Sequence, residues 1–164
     1  MALIFETSNK DIERLDAKQL TSLLIRLLTL EAGQNRIPRS CVQGSLQITA
    51  SDDGEDAHIK WEGGPEHTDW IPNRYTLFQC KATDTSAKKC EKEVVKPDGS
   101  NIKLRVDEVL SAGGAYILFC TTSCDTKMSE DRVAAIRKAF RAHEKAYAET
   151  AEILIYDANR ISLL

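Results

Sequence analysis

The sequence lacks the features of a membrane or secreted protein. It contains no run of about 18 apolar residues, so no membrane span is expected. The N-terminal segment 1–16 carries Glu6, Asp11 and Glu13 and no basic stretch followed by an apolar one, so no signal peptide is predicted. The five cysteines, an odd number, favour a reducing compartment over a disulfide framework. A cytoplasmic protein is therefore expected.

Signatures of several other functional classes are missing as well. No glycine-rich loop ends in Lys-Ser or Lys-Thr, so nucleotide hydrolysis by a P-loop is not expected. The cysteines and histidines lack the two closely spaced pairs of a zinc site. The net charge of −3 argues against a general polyanion-binding surface. It is compatible with a small acidic site that binds nucleic acid through a metal ion.

The length and the chain end predict the domain organisation. A chain of 164 residues is long enough for one compact domain and short for two. We therefore interpret residues 1–164 as a single domain. Because the last residues, "ANRISLL", read as the start of a helix, we expect the chain to be a fragment of a longer multidomain protein.

Hydrophobic periodicity predicts an α/β fold. Helical spacing is found at 17–32 (capped by Asp16 and closed by Gly33), 103–114, 130–149 (capped by Ser129) and from 158 onward. Strands are predicted at 44–50, 57–62, 75–82, 115–121 and 151–157. The first three strands suggest an antiparallel meander, whereas the later β-α-β unit implies a parallel pair with a right-handed crossover. The predicted architecture is a mixed β-sheet flanked by helices.

The strand within "TLFQCKATD" carries polar residues where a core is expected. Phe78 and Cys80 share one face, while Gln79 and Lys81 share the opposite face. A lysine on a central strand must reach solvent or an anionic partner, because an unpaired buried ammonium is very costly. Either this face is exposed at a sheet edge, or it belongs to a functional site.

Two acidic residues are candidates for the same site. Asp56 precedes the strand 57–62 in phase with its polar face, so pairing of 57–62 with 76–82 would bring it near Gln79 and Lys81. Glu31 lies in the middle of the apolar stripe of the first helix, where a carboxylate needs a partner. The alternative for Glu31 is a fraying helix end that turns the side chain to water.

This order of residues resembles the restriction-endonuclease-like superfamily, whose signature is PD-(D/E)xK. In its Mrr-type branch the second acid is Gln, and the pattern reads roughly G-G-D-G-G-I-D followed by V-Q-C-K. The corresponding segments here are "SDDGED" and "FQCK", in which the glycines are partly kept and the last Asp and the QxK are intact. The segments "SAGGAYILFC" and "ILIYDANRI" resemble nuclease domains at the start of large NTPases from bacterial anti-phage systems.

The resemblance implies a metal-dependent endonuclease with a restriction-endonuclease-like fold. Asp56 would be the principal ligand of Mg²⁺, joined by the amide oxygen of Gln79 and the main-chain carbonyl of Cys80. Lys81 would orient the attacking water and stabilise negative charge. Glu31 would hold the water shell of the metal or help with a second ion. Because only one strong acid binds the metal directly, modest affinity is expected, with Mn²⁺ supporting better activity.

The resemblance also implies partners and leaves alternatives open. The expected partners are DNA, a larger NTPase or sensor region of the same protein, and further copies in a homo-oligomer, with no membrane. The second hypothesis is a catalytically inactive nuclease-like module that binds nucleic acid or a protein partner. The glutamine in place of an acid, the missing glycines and the acidic net charge favour it. A third is a regulatory domain that responds to a ligand.

Overall fold

The computed structural model describes residues 6–44 and 56–164, which form a five-stranded mixed sheet with helices on both faces. The strands are β1 (Val42–Gly44), β2 (Ala57–Lys60), β3 (Tyr75–Lys81), β4 (Ala115–Cys120) and β5 (Glu152–Tyr156). The helices are α1 (Asn9–Glu13), α2 (Ala17–Gln34), α3 (Ala87–Glu93), α4 (Leu104–Ser111), α5 (Thr126–Ala142) and α6 (Ala158–Ile161). A short 3₁₀ turn, Arg39–Cys41, leads into β1. Within the two described ranges, none of the helices has the length and apolarity needed to cross a membrane.

The strands lie side by side in chain order, β1 to β5. The first three pair antiparallel, and β3, β4 and β5 pair parallel. The predicted antiparallel pairing of the second and third strands and the predicted parallel pair are thus both confirmed, and β3 joins them as the central strand. The α/β prediction of a mixed sheet flanked by helices is confirmed. Membership in the restriction-endonuclease-like superfamily stays a prediction.

Helices cover the two faces of the sheet with separate apolar layers. On one face, Leu24 and Leu28 of α2 pack in a cluster with Phe78. On the other face, α3, α4 and α5 cover a cluster that includes Leu77. The predicted alternation of β3 is therefore correct. Gln79 is only 3% exposed on this central strand, so the explanation of a solvent-exposed sheet edge is wrong.

Helix α2 begins where predicted and ends later than predicted. Asp16 is the N-cap, and its carboxylate accepts a hydrogen bond from the third residue of the helix. The predicted closure at Gly33 is wrong, because the helix continues through the following residue. It ends because Arg36 takes a left-handed backbone conformation (φ 59°), which lets the Ile37 N–H donate to the Ala32 carbonyl at 2.8 Å.

The predicted helix over 130–149, with Ser129 as its cap, is wrong at both ends. Helix α5 begins at Thr126 because the Asp125 carboxylate accepts a hydrogen bond from the Met128 N–H at 2.8 Å. It ends at Ala142 because Glu144 adopts a left-handed conformation with φ 52°. The residues from 143 to 149, which were included in the predicted helix, therefore belong to a turn that leads into β5.

Two helices and one strand differ from the predicted elements. The predicted strand 44–50 falls mostly outside the described residues, and β1 covers only Val42–Gly44. Helices α1 and α3 were not predicted. Helix α3 begins after Ser86, whose side chain accepts a hydrogen bond from the Lys89 N–H, and it buries Cys90 against the sheet. Its position matters because its last residue, Glu93, points back to β3.

Candidate active site

Asp56 is fixed at the point where β2 begins beside the end of β3. Its main-chain N–H donates to the Phe78 carbonyl at 3.0 Å, and its Oδ2 accepts a hydrogen bond from the Cys80 N–H at 2.7 Å. Because Ala57 pairs with Phe78, Asp56 lies where β2 begins beside the last residues of β3. The structure therefore brings Asp56 to the strand that carries the QxK pattern. The hydrogen bond is charge-assisted, which fixes one oxygen of the carboxylate.

Lys81 pairs with an acid that the sequence did not single out. The Oε2 atom of Glu93 accepts hydrogen bonds from the Lys81 ammonium at 2.8 Å and from the Gln79 amide at 2.9 Å. The side chains of Lys81 and Glu93 are 28% and 21% exposed, so the ion pair is only partly hydrated. We call Asp56, Lys81 and Glu93, with Gln79 beside them, the carboxylate–lysine cluster.

Gln79 is held at both ends of its amide. The nitrogen donates to Glu93, and Oε1 accepts a hydrogen bond from the Tyr116 hydroxyl on the neighbouring strand at 2.6 Å. A buried amide with both ends satisfied has one orientation. The oxygen that was predicted to bind a metal is thus directed at Tyr116, and the amide positions Glu93. A role of Gln79 as a metal ligand stays a prediction.

Glu31 does not join this cluster. It belongs to α2, which covers the opposite face of the sheet from α3. The residue is 6% exposed, and its Oε1 atom has no hydrogen-bond partner. It lines a cavity together with Asp69 and Arg160. The alternative of a fraying helix end is wrong, because α2 continues beyond Glu31 and the side chain is buried.

Glu93 was missed because helix α3 was missed. The segment "SAKKCEKEVV" contains the necessary signals: a serine that can cap a helix, and apolar Cys90 and Val94 four positions apart. Once α3 is placed as the element after β3, its last turn returns to the end of that strand. An acid in that turn then becomes a natural partner for Lys81.

The donor set of the cluster matches the preferences of a hard divalent ion. Asp56 and Glu93 supply carboxylate oxygens. The main-chain carbonyl of Cys80 is a further oxygen, on strand β3 beside Lys81. Across residues 6–44 and 56–164, no group of three or more His, Cys, Asp or Glu side chains could hold one metal ion. Mg²⁺ keeps several of its waters and is usually bound by only one or two carboxylates, and the Mg²⁺ site therefore stays a prediction.

A basic groove lies between α3, α5 and the turn after α3. Its volume is about 680 Å³, and four lysines and a histidine line it: Lys88, Lys92, Lys96, Lys138 and His143. Glu91 is the single acidic residue in the lining and pairs with Lys138 at 3.3 Å. The lining therefore has a local excess of positive charge, although the chain is acidic as a whole. We call this surface the lysine groove.

Comparison with known proteins gives no match: no family model, no curated protein and no solved structure corresponds to this chain. Function is therefore inferred from the residues of the site and their contacts.

Proposed function

We propose that this chain is a metal-dependent endonuclease domain that hydrolyses phosphodiester bonds of DNA. One observation carries the proposal. The Asp56 carboxylate is bound to the backbone of Cys80, next to Lys81, and Lys81 is paired with a second carboxylate, Glu93. A phosphodiester is negatively charged and repels an anionic nucleophile, so its hydrolysis needs charge neutralisation and an activated water. Two carboxylates and one ammonium beside the end of β3 suit that need.

Each residue of the carboxylate–lysine cluster has its own role in the proposed reaction. Asp56 and Glu93 would hold Mg²⁺ or Mn²⁺, with the Cys80 carbonyl as a further ligand. When bound, the ion supplies positive charge for the phosphate and lowers the pKa of a water molecule. Lys81 stabilises the negative charge that develops on the phosphate. Gln79 is a positioning residue, because it holds Glu93 in the orientation in which that carboxylate also meets Lys81.

The positive charge of the lysine groove suits an anionic substrate. It is built partly from α3, the helix that ends in Glu93, so the groove and the cluster share one rigid element. Lysines bind phosphate groups without reading the base sequence. The preference for DNA, the role as effector of an anti-phage defence protein, the partnership with a larger NTPase or sensor region, the homo-oligomer and the cytoplasmic location all rest on the family resemblance.

A plasmid-cleavage assay tests the proposal. Supercoiled DNA is incubated with the wild-type chain and Mg²⁺ or Mn²⁺, beside Asp56→Asn and Lys81→Ala. The matched controls are Asp131→Asn and Lys127→Ala, an exposed ion pair on α5. We expect metal-dependent nicking that falls at least about 100-fold in both site variants, in line with the cost of losing one group that stabilises charge in a transition state. Nicking that survives in both site variants would refute the assignment.

A specific observation favours a second candidate, a nuclease-like module that binds nucleic acid without cleaving it. Gln79 occupies the position at which the PD-(D/E)xK motif has an acid. Its amide oxygen accepts a hydrogen bond from the Tyr116 hydroxyl. DNA binding measured by fluorescence anisotropy separates the two candidates. The binding module predicts no nicking with Mn²⁺, equal affinity for wild type and Asp56→Asn, and weaker affinity for Lys88→Ala and Lys92→Ala.

A further inference from the structure

A second cavity lies on the face of the sheet covered by α2, away from the carboxylate–lysine cluster. Its volume is about 400 Å³, and it is bounded by the last turns of α2, the loop at 69–70 and the segment after α6. Its walls combine apolar side chains such as Leu27, Leu30 and Leu163 with the acids Glu31 and Asp69. No residue of the carboxylate–lysine cluster lines it. We call it the Glu31 cavity.

One oxygen of the Glu31 carboxylate is buried without a hydrogen-bond partner. Glu31 is 6% exposed, and among the described residues its Oε1 is the single buried side-chain nitrogen or oxygen without a hydrogen bond. An unsatisfied buried acceptor is destabilising, and the cost is greater when the group is charged. Native proteins rarely retain such a group unless it serves a function. A ligand that donates hydrogen bonds from the cavity would remove the cost.

Arg160, the basic residue in the lining of the Glu31 cavity, makes its contacts with Tyr156. The guanidinium of Arg160 lies 4.0 Å from the centre of the Tyr156 ring, and its Nη2 donates to the Tyr156 hydroxyl at 3.3 Å. The Arg160 guanidinium is therefore engaged by Tyr156 through stacking and a hydrogen bond. The exposed carboxylate of Asp69 adds a second negative charge to the lining. The unmet requirement of the cavity is therefore a positively charged hydrogen-bond donor.

The rim of the cavity indicates the rest of the ligand. Leu27 and Leu30 of α2 line this cavity, and Leu30 is 57% exposed. Apolar walls around a few polar groups are typical of small-molecule sites. An alkyl chain that contacts these leucines would bury apolar surface on both sides.

We propose that the Glu31 cavity binds a small aliphatic cation, a ligand with an ammonium or guanidinium group on a short alkyl chain. The head group donates hydrogen bonds to the Glu31 carboxylate, and the alkyl chain packs on the leucine rim. The site is independent of the proposed nuclease activity, because it shares no residue with the carboxylate–lysine cluster. Cation binding would therefore persist in a chain that cleaves no DNA.

Thermal unfolding of the full chain in the presence of defined probes tests the site. The probes are agmatine and n-butylamine, with n-butanol and butyrate as neutral and anionic controls of similar chain length. The variants are Glu31→Gln and the control Glu66→Gln, which removes an exposed acid outside the cavity. We expect millimolar agmatine to raise the Tm of wild type and Glu66→Gln by at least about 2 °C, as stabilisation by a ligand requires, and to leave Glu31→Gln unchanged.

Two further measurements test whether Glu31 and the leucines bind the probe. Without ligand, Glu31→Gln should melt no lower than wild type, because the Oε1 atom accepts no hydrogen bond that the change could break. Leu30→Ala, at an exposed position, should fold normally and bind agmatine several-fold more weakly by calorimetric titration. The proposal is overturned if neither cation raises the wild-type Tm, if n-butanol or butyrate raises it equally, or if Glu31→Gln responds like wild type. A Glu31→Gln variant that melts several degrees lower would reveal a protein partner for Glu31 and overturn it too.

Discussion

Replacing Glu93 by alanine should destabilise the protein more than replacing any comparable acid on α3. The Gln79 amide is 3% exposed and loses a charged acceptor, which costs about 1.5–3 kcal/mol because the donor stays buried without a partner. The Lys81 ammonium is 28% exposed and can recover water, so the lost ion pair adds only about 0–1 kcal/mol. The expected total is roughly 1.5–4 kcal/mol.

Denaturant unfolding at neutral pH measures this effect directly. For a domain of this size, roughly 1.5–4 kcal/mol corresponds to a drop in Tm of about 3–16 °C. The matched control is Glu91→Ala, two residues earlier on the same helix. Its partner Lys138 is 70% exposed, so the change should cost less than about 0.5 kcal/mol.

A double-mutant cycle separates the contact from general damage to α3. Gln79→Ala and Glu93→Ala should couple by on the order of 1 kcal/mol, because the two side chains are hydrogen-bonded at 2.9 Å. Equal stability of Glu93→Ala and Glu91→Ala, or a coupling energy of zero, would refute the arrangement in which Gln79 and Lys81 share one carboxylate.

Three further changes test other parts of the structure. Gly114→Ala should destabilise the protein severely, because a Cβ there would lie 2.4 Å from the Tyr75 carbonyl oxygen. Gly33→Ala is the contrasting change, because a Cβ at Gly33 in helix α2 would meet no atom within 4 Å. It should be neutral or stabilise the protein by up to about 1 kcal/mol. Asp125→Ala should cost about 0.5–2 kcal/mol, because it removes the N-cap of α5. Alkylation should modify Cys124 rapidly near neutral pH, because the hydrogen bond from the Cys120 thiol lowers the pKa of Cys124 to about 7.

The checks on these three are equally direct. Urea unfolding that shows equal stability for the two glycine variants would contradict the close packing before β4. A Ser129→Ala variant should unfold like wild type, and a loss equal to that of Asp125→Ala would restore the predicted cap. For Cys124, the rate of iodoacetamide labelling should rise through about pH 7 and then level off, because the thiolate reacts and the thiol does not. A rate that keeps rising to pH 9 would contradict the lowered pKa.

The sheet could be predicted because strand alternation is a local property of the sequence. Phe78 and Gln79 are neighbours with opposite polarity, and the period of two assigns them to opposite faces. The connection lengths then separate antiparallel from parallel neighbours. Helix ends were predicted less well, since the end of α2 depends on the left-handed conformation of Arg36, a residue type that gives no such signal.

The site could be predicted only in part, for a related reason. Asp56 and Lys81 lie on adjacent strands, so pairing rules bring them together. Glu93 reaches Lys81 through a helix whose short, lysine-rich sequence resembles a solvated loop. Glu31 was correctly singled out as a buried carboxylate that needs a partner, but helical spacing does not say which face of the sheet its helix covers. That choice is made by tertiary packing.

Mn²⁺ binding to the isolated chain is the most direct test of the central claim that Asp56 and Glu93 hold a divalent ion beside Lys81. Binding can be followed by the electron paramagnetic resonance signal of free Mn²⁺ at pH 7, with wild type, Asp56→Asn, Glu93→Gln and the control Asp131→Asn. We predict one Mn²⁺ site whose affinity falls at least about 10-fold in each site variant, as loss of a charged ligand requires, and is unchanged in the control. Equal Mn²⁺ affinity for wild type and Asp56→Asn would contradict the claim.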